Sequence, residues 1–199
     1  MKDFLKMRKL HDGCRVMVAD IPAPIMKEIG VWTKECRKIK DHPLADLKAH
    51  ENAGYLALDD VKYNSYQVSV PKRLIDESFW LAWTVRLAAK NWGFGKNHRS
   101  YKLCEYPGHF DGYDIWANFA YKGDQNPRHV HNGILSGVIY YQNHDHPTVF
   151  EQTGDVYHGK NGTMVMFPSN TLHYVVEQKL RKERITFAFN LELLPELRR

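Results

Sequence analysis

Apolar residues recur every three to four positions in two segments of the first half of the chain, residues 23–40 and 71–93. This spacing gives each segment one apolar face and therefore predicts two helices. Pro71 suits the first turn of the second helix, and Gly93 suits the left-handed residue that follows a helix end. The tryptophans of the second helix are predicted to pack into a core or against a sheet.

After Gly93 the apolar period changes to two, which is the alternation of β-strands. Two earlier strands are predicted, over residues 14–22 and within residues 64–70. The later strands are the stretches YKLCEY, YDIWANFAYK, LSGVIYYQ, TVFEQ, GTMVMF, LHYVVEQ and ERITFAFNLEL, separated by Gly, Pro, Asn and Asp. Many short strands without an intervening helix are typical of an antiparallel sandwich or barrel.

We therefore predict a mainly β fold with N-terminal α-helices (α+β), built on a double-stranded β-helix core of the jelly-roll or cupin-like kind. The length of 199 residues predicts a single domain, 1–199. Residues 1–93 are expected to form an N-terminal strand and supporting helices. Residues 94–199 are expected to form the double-stranded β-helix core.

Composition narrows the class of protein. Cys14, Cys36 and Cys104 are far apart and lack CxxC spacing, which argues against a disulfide framework or a thiolate zinc site. No apolar run resembles a signal peptide or reaches membrane-spanning length, so a cytoplasmic protein without a membrane partner is expected. The net charge of +5 comes from basic residues dispersed among acidic ones, so nucleic acid is disfavoured as a partner.

Three histidines and one arginine form the candidate chemistry. His129 and His131 are two residues apart, so on a strand both imidazoles can point into the barrel, although an HxH pair alone is a weak signal for a metal. His173 begins another predicted strand, and Arg184 lies on the strand expected to pair with it. A cation beside a metal site requires an anion between them. A dicarboxylic acid that chelates the metal and pairs with the guanidinium meets this requirement.

The segments WANFAYKGDQNPRHVHNGILSGVIYY, GTMVMFPSNTLHYVVEQ and ERITFAFN carry a family resemblance. Together they resemble the iron(II)- and 2-oxoglutarate-dependent oxygenases, most closely the short ones encoded in tailed-phage and marine bacterial genomes, and more distantly the prolyl hydroxylases. The resemblance covers residues 115–191 and does not extend to the N-terminal half. It implies a location in the cytoplasm of a bacterium or of a phage-infected host cell.

Carried over by position, the resemblance implies an iron site and a 2-oxoglutarate site. The implied iron ligands are His129, His131 and His173. The implied groups for 2-oxoglutarate are Arg184 for the far carboxylate, Tyr140 as a hydroxyl donor, Thr186 as a helper, and Ser136. Ser136 and Tyr140 share one face of their predicted strand, so Tyr140 and not Tyr141 is expected in the pocket.

The activity implied by the resemblance is that of an Fe(II)- and 2-oxoglutarate-dependent dioxygenase, a hydroxylase that consumes O2 and releases succinate and CO2. Its primary substrate is unidentified, with a peptidyl side chain as one candidate. His131 departs from the wider superfamily, in which Asp or Glu is usual at this position. An alternative interpretation places His131 beside the metal without binding it.

Two other classes of function stay open. One is a three-histidine cupin-like metal dioxygenase or isomerase that does not use 2-oxoglutarate, and which has no need of Arg184 and Tyr140 as a carboxylate clamp. The other is a non-catalytic barrel that binds nucleic acid or an acidic partner. The oligomeric state is not predicted.

Further features are interpreted structurally. Residues 143–147, NHDHP, are expected to form an exposed turn, and Asn118 and Asn190 to be hydrogen-bonding residues at strand ends. The aromatic residues expected to line the barrel are Trp116, Phe119, Tyr140 and Phe187.

Overall fold

The computed structural model describes residues 5–9, 15–41, 65–92, 101–104, 113–144 and 146–193. In these residues strand content exceeds helix content, as the sequence predicts. The elements in chain order are β1 (Leu5–Lys9), β2 (Arg15–Asp20), α1 (Ala23–Lys40), β3 (Tyr66–Ser69), α2 (Lys72–Asp76), α3 (Phe79–Trp92), β4 (Tyr101–Leu103), β5 (Ile115–Ala120), β6 (Asn126–His129), β7 (Leu135–Gln142), β8 (Pro147–Phe150), β9 (Asp155–His158), β10 (Thr163–Pro168), β11 (His173–Val175) and β12 (Arg184–Leu193).

The strands form two antiparallel sheets. The larger sheet has eight strands in the order β1-β2-β10-β7-β12-β5-β3, with β4 also paired to β12. The smaller sheet has four strands in the order β6-β11-β8-β9. Strands distant in the chain are neighbours in both sheets, as in a jelly roll. The predicted fold class is confirmed.

Alternation along β12 separates two environments on opposite faces of the larger sheet. Phe187 and Phe189 join the apolar cluster formed with the helices, where their rings meet Trp32 and Trp80 edge to face at 6.0 and 5.0 Å. Arg184 lies on the other face of β12, together with every second residue after it. The helices therefore cover one face of the sheet and leave the other to the smaller sheet.

This alternation corrects the expected set of pocket aromatics. Phe119 and Phe187 are fully buried in the cluster beneath the helices and do not line the barrel. Both lie an odd number of residues from an inward-facing neighbour, Trp116 and Arg184 respectively, so the pleat directs them to the opposite face. Trp116 and Tyr140 do lie on the inner face.

The predicted helix over residues 71–93 is wrong in one respect, because the structure breaks it into α2 and α3. The Ser78 hydroxyl oxygen accepts the Leu81 N–H at 3.3 Å, which is an N-cap for α3. The Glu28 carboxylate accepts the N–H groups of Phe79 and Trp80 at 3.2 and 3.1 Å. These contacts satisfy the first N–H groups of α3 and favour a new helix start there. Gly93 lies outside the described residues.

Helix α1 spans the predicted residues, and each later predicted strand has a counterpart. Strands β1, β6 and β9 were not among the predicted strands. None of the helices in the described part of the chain is long and apolar enough to cross a membrane. The expected pairing between the strands of His173 and Arg184 is wrong, because β11 pairs with β6 and β8, whereas β12 pairs with β4, β5 and β7.

Gly137 provides a test of the packing beneath the helices. It lies opposite Phe189 in the β7–β12 pair, and a Cβ at this position would lie 2.2 Å from the nearest atom of the Phe189 ring. We expect Gly137→Ala to lower the free energy of unfolding by about 2 kcal/mol in urea denaturation, since the buried ring must move. Gly30→Ala in α1 is the control, because its Cβ would lie 3.4 Å from the Tyr141 hydroxyl. Equal stability of the two variants would contradict this packing.

Candidate metal centre

Three imidazoles converge between the two sheets. His129 ends β6, His173 begins β11, and the two residues face each other in the β6–β11 pair. One ring nitrogen from each of His129, His131 and His173 can be chosen so that all three lie within 4.8 Å of one another. The Nε2 atoms of His131 and His173 are 3.2 Å apart. The structure thus brings together the three histidines singled out in the sequence.

His131 reaches this position from a loop rather than from the strand of His129. Strand β6 ends at His129, and the backbone N–H of His131 donates to the Ser169 carbonyl at 2.9 Å, beyond the end of β10. The loop after β10 therefore holds the backbone of His131, and the ring still turns toward the other two. The i, i+2 spacing indicated the shared direction of the rings, although His131 lies outside the strand.

Backbone carbonyls orient two of the three rings. His129 Nδ1 lies 2.6 Å from the Pro127 carbonyl, and His173 Nδ1 lies 2.9 Å from the Thr171 carbonyl. A carbonyl oxygen only accepts hydrogen bonds, so each Nδ1 carries the proton and each Nε2 keeps its lone pair. Fixing the tautomer in this way is how metal-binding histidines are commonly prepared.

Burial keeps the three imidazoles neutral. It lowers the pKa of His129 below its ordinary value, against the opposing effect of the Pro127 carbonyl. It lowers the pKa of His131 and His173 much further, and the neighbouring imidazoles add to the effect at both residues. Neutral imidazoles cannot repel a cation and offer nitrogen lone pairs, which first-row divalent metals accept as ligands.

One pair of ring nitrogens has the separation expected at a single first-row ion. Two nitrogens bound about 2.1 Å from one ion at a right angle lie roughly 3.0 Å apart. The 3.2 Å between Nε2 of His131 and of His173 is close to that separation. Three nitrogen ligands on one side of an ion would leave its remaining positions open for other ligands.

Arg184 faces the histidines from the larger sheet. It lines the same cavity and is only 3% exposed. Its Nε donates to Asn143 Oδ1 at 2.7 Å, and no carboxylate in the described part of the chain lies within ion-pair distance of it. Burial lowers the pKa of Arg184 to about 10, so the guanidinium remains charged at neutral pH. A buried cation without an anion is costly, which makes this cavity suited to an anionic ligand.

Two of the residues predicted around Arg184 lie beside it on the inner face. Thr186 lines the cavity and is opposite Tyr140 in the β7–β12 pair. The Tyr140 hydroxyl is 2.9 Å from the Thr148 hydroxyl, and burial raises the pKa of Tyr140, so the phenol stays protonated. Tyr141 packs on the helix side of the sheet, as the alternation predicts.

Ser136 shares this face but belongs to a separate hydrogen-bonded chain. Its hydroxyl lies 2.6 Å from Asn190 Oδ1 and 2.9 Å from the Ser169 hydroxyl, and Asn190 Nδ2 donates to Asp114 at 2.6 Å. Ser136 is therefore already bonded to protein groups. Asn190 does act as a hydrogen-bonding residue within the sheet. Asn118, by contrast, lines the cavity, and its buried side-chain oxygen has no hydrogen-bond partner in the described residues.

The exposed turn predicted at residues 143–147 is wrong for two of its residues. Asn143 and His146 are only 5% and 8% exposed, and a ring nitrogen of His146 lies 2.6 Å from the Val176 carbonyl. Asn143 contacts Arg184, and Thr148 contacts Tyr140, so both belong to the site. The apolar pattern contains no signal for Asn143, because the alternation of β7 ends at Gln142. Thr148 could have been found from the sequence, since it lies two residues before the buried Phe150 on β8 and therefore shares its face.

Comparison with known proteins supports the interpretation of the site. Residues 142–190, which include His173 and Arg184, match the sequence model of the family described as "Putative 2OG-Fe(II) oxygenase". A comparison with curated protein sequences finds no match.

Solved structures share the fold at low sequence identity. The viral collagen prolyl hydroxylase of Paramecium Bursaria Chlorella virus-1, in its 2OG complex, has 15% identity and a TM-score of 0.57, covering 83% of this chain and 90% of its own. A Pseudomonas putida prolyl-4-hydroxylase has 15% identity and a TM-score of 0.52, covering 95% and 93%. A Burkholderia pseudomallei oxidoreductase of the 2OG-Fe(II) oxygenase family has 15% identity and a TM-score of 0.43.

The alignment with the Burkholderia protein covers 54% of this chain and 51% of the other, so the chain spans about half the length of that relative. The two prolyl hydroxylases align over nearly their whole lengths and share the two-sheet architecture. The chain therefore has the fold of these two hydroxylases, and its residues 142–190 match the family model of the 2OG-Fe(II) oxygenases.

Proposed function

We propose that this chain is an Fe(II)- and 2-oxoglutarate-dependent dioxygenase that hydroxylates a C–H bond, consuming O2 and releasing succinate and CO2. The observation that carries the proposal is the set of residues that line one cavity. Three neutral imidazoles line one side of it, and a buried guanidinium that has no anionic partner among the described residues lines the other. A metal-chelating 2-oxo acid with a second carboxylate is complementary to both sides.

In this proposal His129, His131 and His173 hold the iron. When bound, the metal supplies the oxidative chemistry, coupling decarboxylation of the 2-oxo acid to oxidation of the substrate. The protein orients the ring nitrogens through the Pro127 and Thr171 carbonyls. The rings of Phe167 and Phe150 pack against His173, with centroid separations of 4.8 and 6.1 Å.

Arg184 binds the far carboxylate of 2-oxoglutarate in this proposal. Its guanidinium can form paired N–H to oxygen bonds with that group, which are stronger than hydrogen bonds between neutral partners. Tyr140, bonded to Thr148, and Thr186 supply hydroxyl groups on the same face. Ser136 supports this face of the sheet through Asn190 rather than by direct contact with the ligand.

Arg184 also favours this function over the alternative of a three-histidine metal enzyme that uses no co-substrate. Such an enzyme gains nothing from a buried, uncompensated cation in its cavity, and burial of that charge is costly. For the primary substrate we propose a peptidyl side chain, since two structures that share the fold are described as a collagen prolyl hydroxylase and a prolyl-4-hydroxylase.

The first prediction from the proposed function concerns binding of the metal and the co-substrate together. Anaerobic addition of Fe(II) and 2-oxoglutarate is expected to produce a weak visible charge-transfer band, because the 2-oxo acid chelates the metal. Under air, succinate should form. His129→Ala should lose both signals, whereas His158→Ala, which changes an exposed histidine of β9, should keep both. A folded wild-type protein that gives neither band nor succinate would refute the proposed function.

A second prediction tests whether His131 is a ligand. Aspartate can replace histidine in a mononuclear iron site because a carboxylate oxygen also binds the metal. We expect His131→Asp to retain Fe(II) binding in equilibrium dialysis and His131→Leu to weaken it by roughly tenfold or more, as for loss of a ligand contact. Equal affinity of wild type and His131→Leu would show that His131 lies beside the metal without binding it.

A third prediction concerns Arg184. Arg184→Gln should weaken 2-oxoglutarate binding about a hundredfold, because two charge-assisted hydrogen bonds are lost. Calorimetric titration of the anaerobic Fe(II) protein measures this change, with Arg181→Gln on the exposed β11–β12 connection as the control. Unchanged affinity in Arg184→Gln would assign the far carboxylate to another group.

A further inference from the structure

We infer that Asn143 is a positioning and specificity residue: it orients the guanidinium of Arg184 without neutralising it, and so selects 2-oxo acids with a second carboxylate. This inference rests on the proposed function and names how the co-substrate is chosen. Asn143 follows the last residue of β7 and approaches Arg184 across the β7–β12 pair.

The contact between the two side chains leaves the binding edge of the guanidinium available. Arg184 Nε donates to Asn143 Oδ1 at 2.7 Å, and both residues are almost completely buried. A bond at Nε fixes the plane of the guanidinium about its long axis. The two Nη groups are not used by this contact and can bind both oxygens of a carboxylate.

The Asn143 amide has only one orientation compatible with its surroundings. Its Nδ2 donates to the carbonyls of Gly159 and His146 at 2.6 and 3.1 Å. Its backbone N–H donates to Asn161 Oδ1 at 2.5 Å. Exchanging the amide oxygen and nitrogen would place oxygen against two carbonyl oxygens and N–H against N–H. Asn143 therefore always presents its oxygen to Arg184.

The charge of Arg184 is not neutralised by the acids near it in the described residues, because each of them is bonded elsewhere. Glu183 precedes Arg184 in the chain, but its carboxylate pairs with Arg37 and accepts the Tyr121 hydroxyl at 2.5 Å. Asp124, which lines a small cavity together with Arg184, accepts the Tyr121 backbone N–H at 2.7 Å. Tyr140 and His146 also interact electrostatically with Arg184, and neither is a carboxylic acid. A neutral amide thus holds the guanidinium, and its full positive charge remains for the ligand.

This arrangement separates two ligands that differ only in the tail. 2-Oxoglutarate and 2-oxovalerate have the same chain length and the same chelating end, but only 2-oxoglutarate carries a second carboxylate. Loss of the Asn143 contact should affect the ligand that reaches Arg184 and spare the one that does not. A merely structural role for Asn143 would weaken both ligands in parallel.

The experiment measures dissociation constants of 2-oxoglutarate and 2-oxovalerate for the anaerobic Fe(II) protein by visible titration. Asn143→Ala should weaken 2-oxoglutarate about tenfold, the size expected for one hydrogen bond to a charged group, and leave 2-oxovalerate within twofold. Asn143→Asp should weaken 2-oxoglutarate more strongly, because its carboxylate pairs with Arg184. Asn161→Ala is the matched control, since it removes a bond to the backbone of Asn143 and should leave the ratio of the two constants unchanged.

Equal weakening of both ligands in Asn143→Ala, or no change in either, would overturn the inference. Failure of the wild-type protein to bind 2-oxoglutarate would instead refute the proposed function. A second measurement does not depend on whether an Asn143 variant folds. It follows the NMR signal of the Arg184 Nε–H in the wild-type, metal-free protein. The signal is assigned by its loss in Arg184→Lys. Slow exchange of this proton with water is expected, and rapid exchange would show that Asn143 does not hold Arg184.

Discussion

The site depends on one constraint, which is a buried positive charge that no carboxylate of the described residues neutralises. Arg184 is almost fully removed from water and has a neutral amide as its hydrogen-bond partner. Burial of an unpaired charge costs several kcal/mol even after the surroundings relax. Strand pairing offsets this cost. Arg184 lies on β12, which is paired with β7 on one side and with β5 and β4 on the other. The charge therefore lies on a well-supported strand, opposite the three imidazoles.

One face of the larger sheet packs against the helices and stabilises the fold, and the other face carries the polar groups of the site. Beneath the helices, Trp32, Trp80, Phe187 and Phe189 form an apolar layer with edge-to-face ring contacts. Burial of such side chains is the main favourable contribution to folding. Because that layer stabilises the sheet from one side, the opposite face can carry Arg184 and other polar groups that a simple apolar core would exclude.

Particular residues show how far sequence reasoning reached. The period of two in LSGVIYYQ correctly assigned Tyr140 and Tyr141 to opposite faces. The same rule, applied from Trp116 and Arg184, would have placed Phe119 and Phe187 under the helices, whereas the expectation of an aromatic lining assigned them to the pocket. The break at Ser78 was not predicted, because helical spacing continues on both sides of it.

The roles proposed for the histidines and Arg184 came from residue types, their order and a family resemblance, and they remain proposals that the geometry supports. Asn143 was not accessible in this way. The alternation stops where β7 stops, so no periodic rule says which way the next side chain points. Its partner is 41 residues away in sequence, and only the pairing of β7 with β12 brings the two together.

The sequence by itself determined most of the local structure: the main helical and strand segments, which residues of a strand share a face, and which side chains could bind a metal or an anion. These properties follow from short-range periodicity and side-chain chemistry. Tertiary structure alone decided that Arg184 faces the histidines from the other sheet rather than from a paired strand. The physical reason is that antiparallel pairing joins strands that are distant in the chain, and no local pattern records which strands become neighbours.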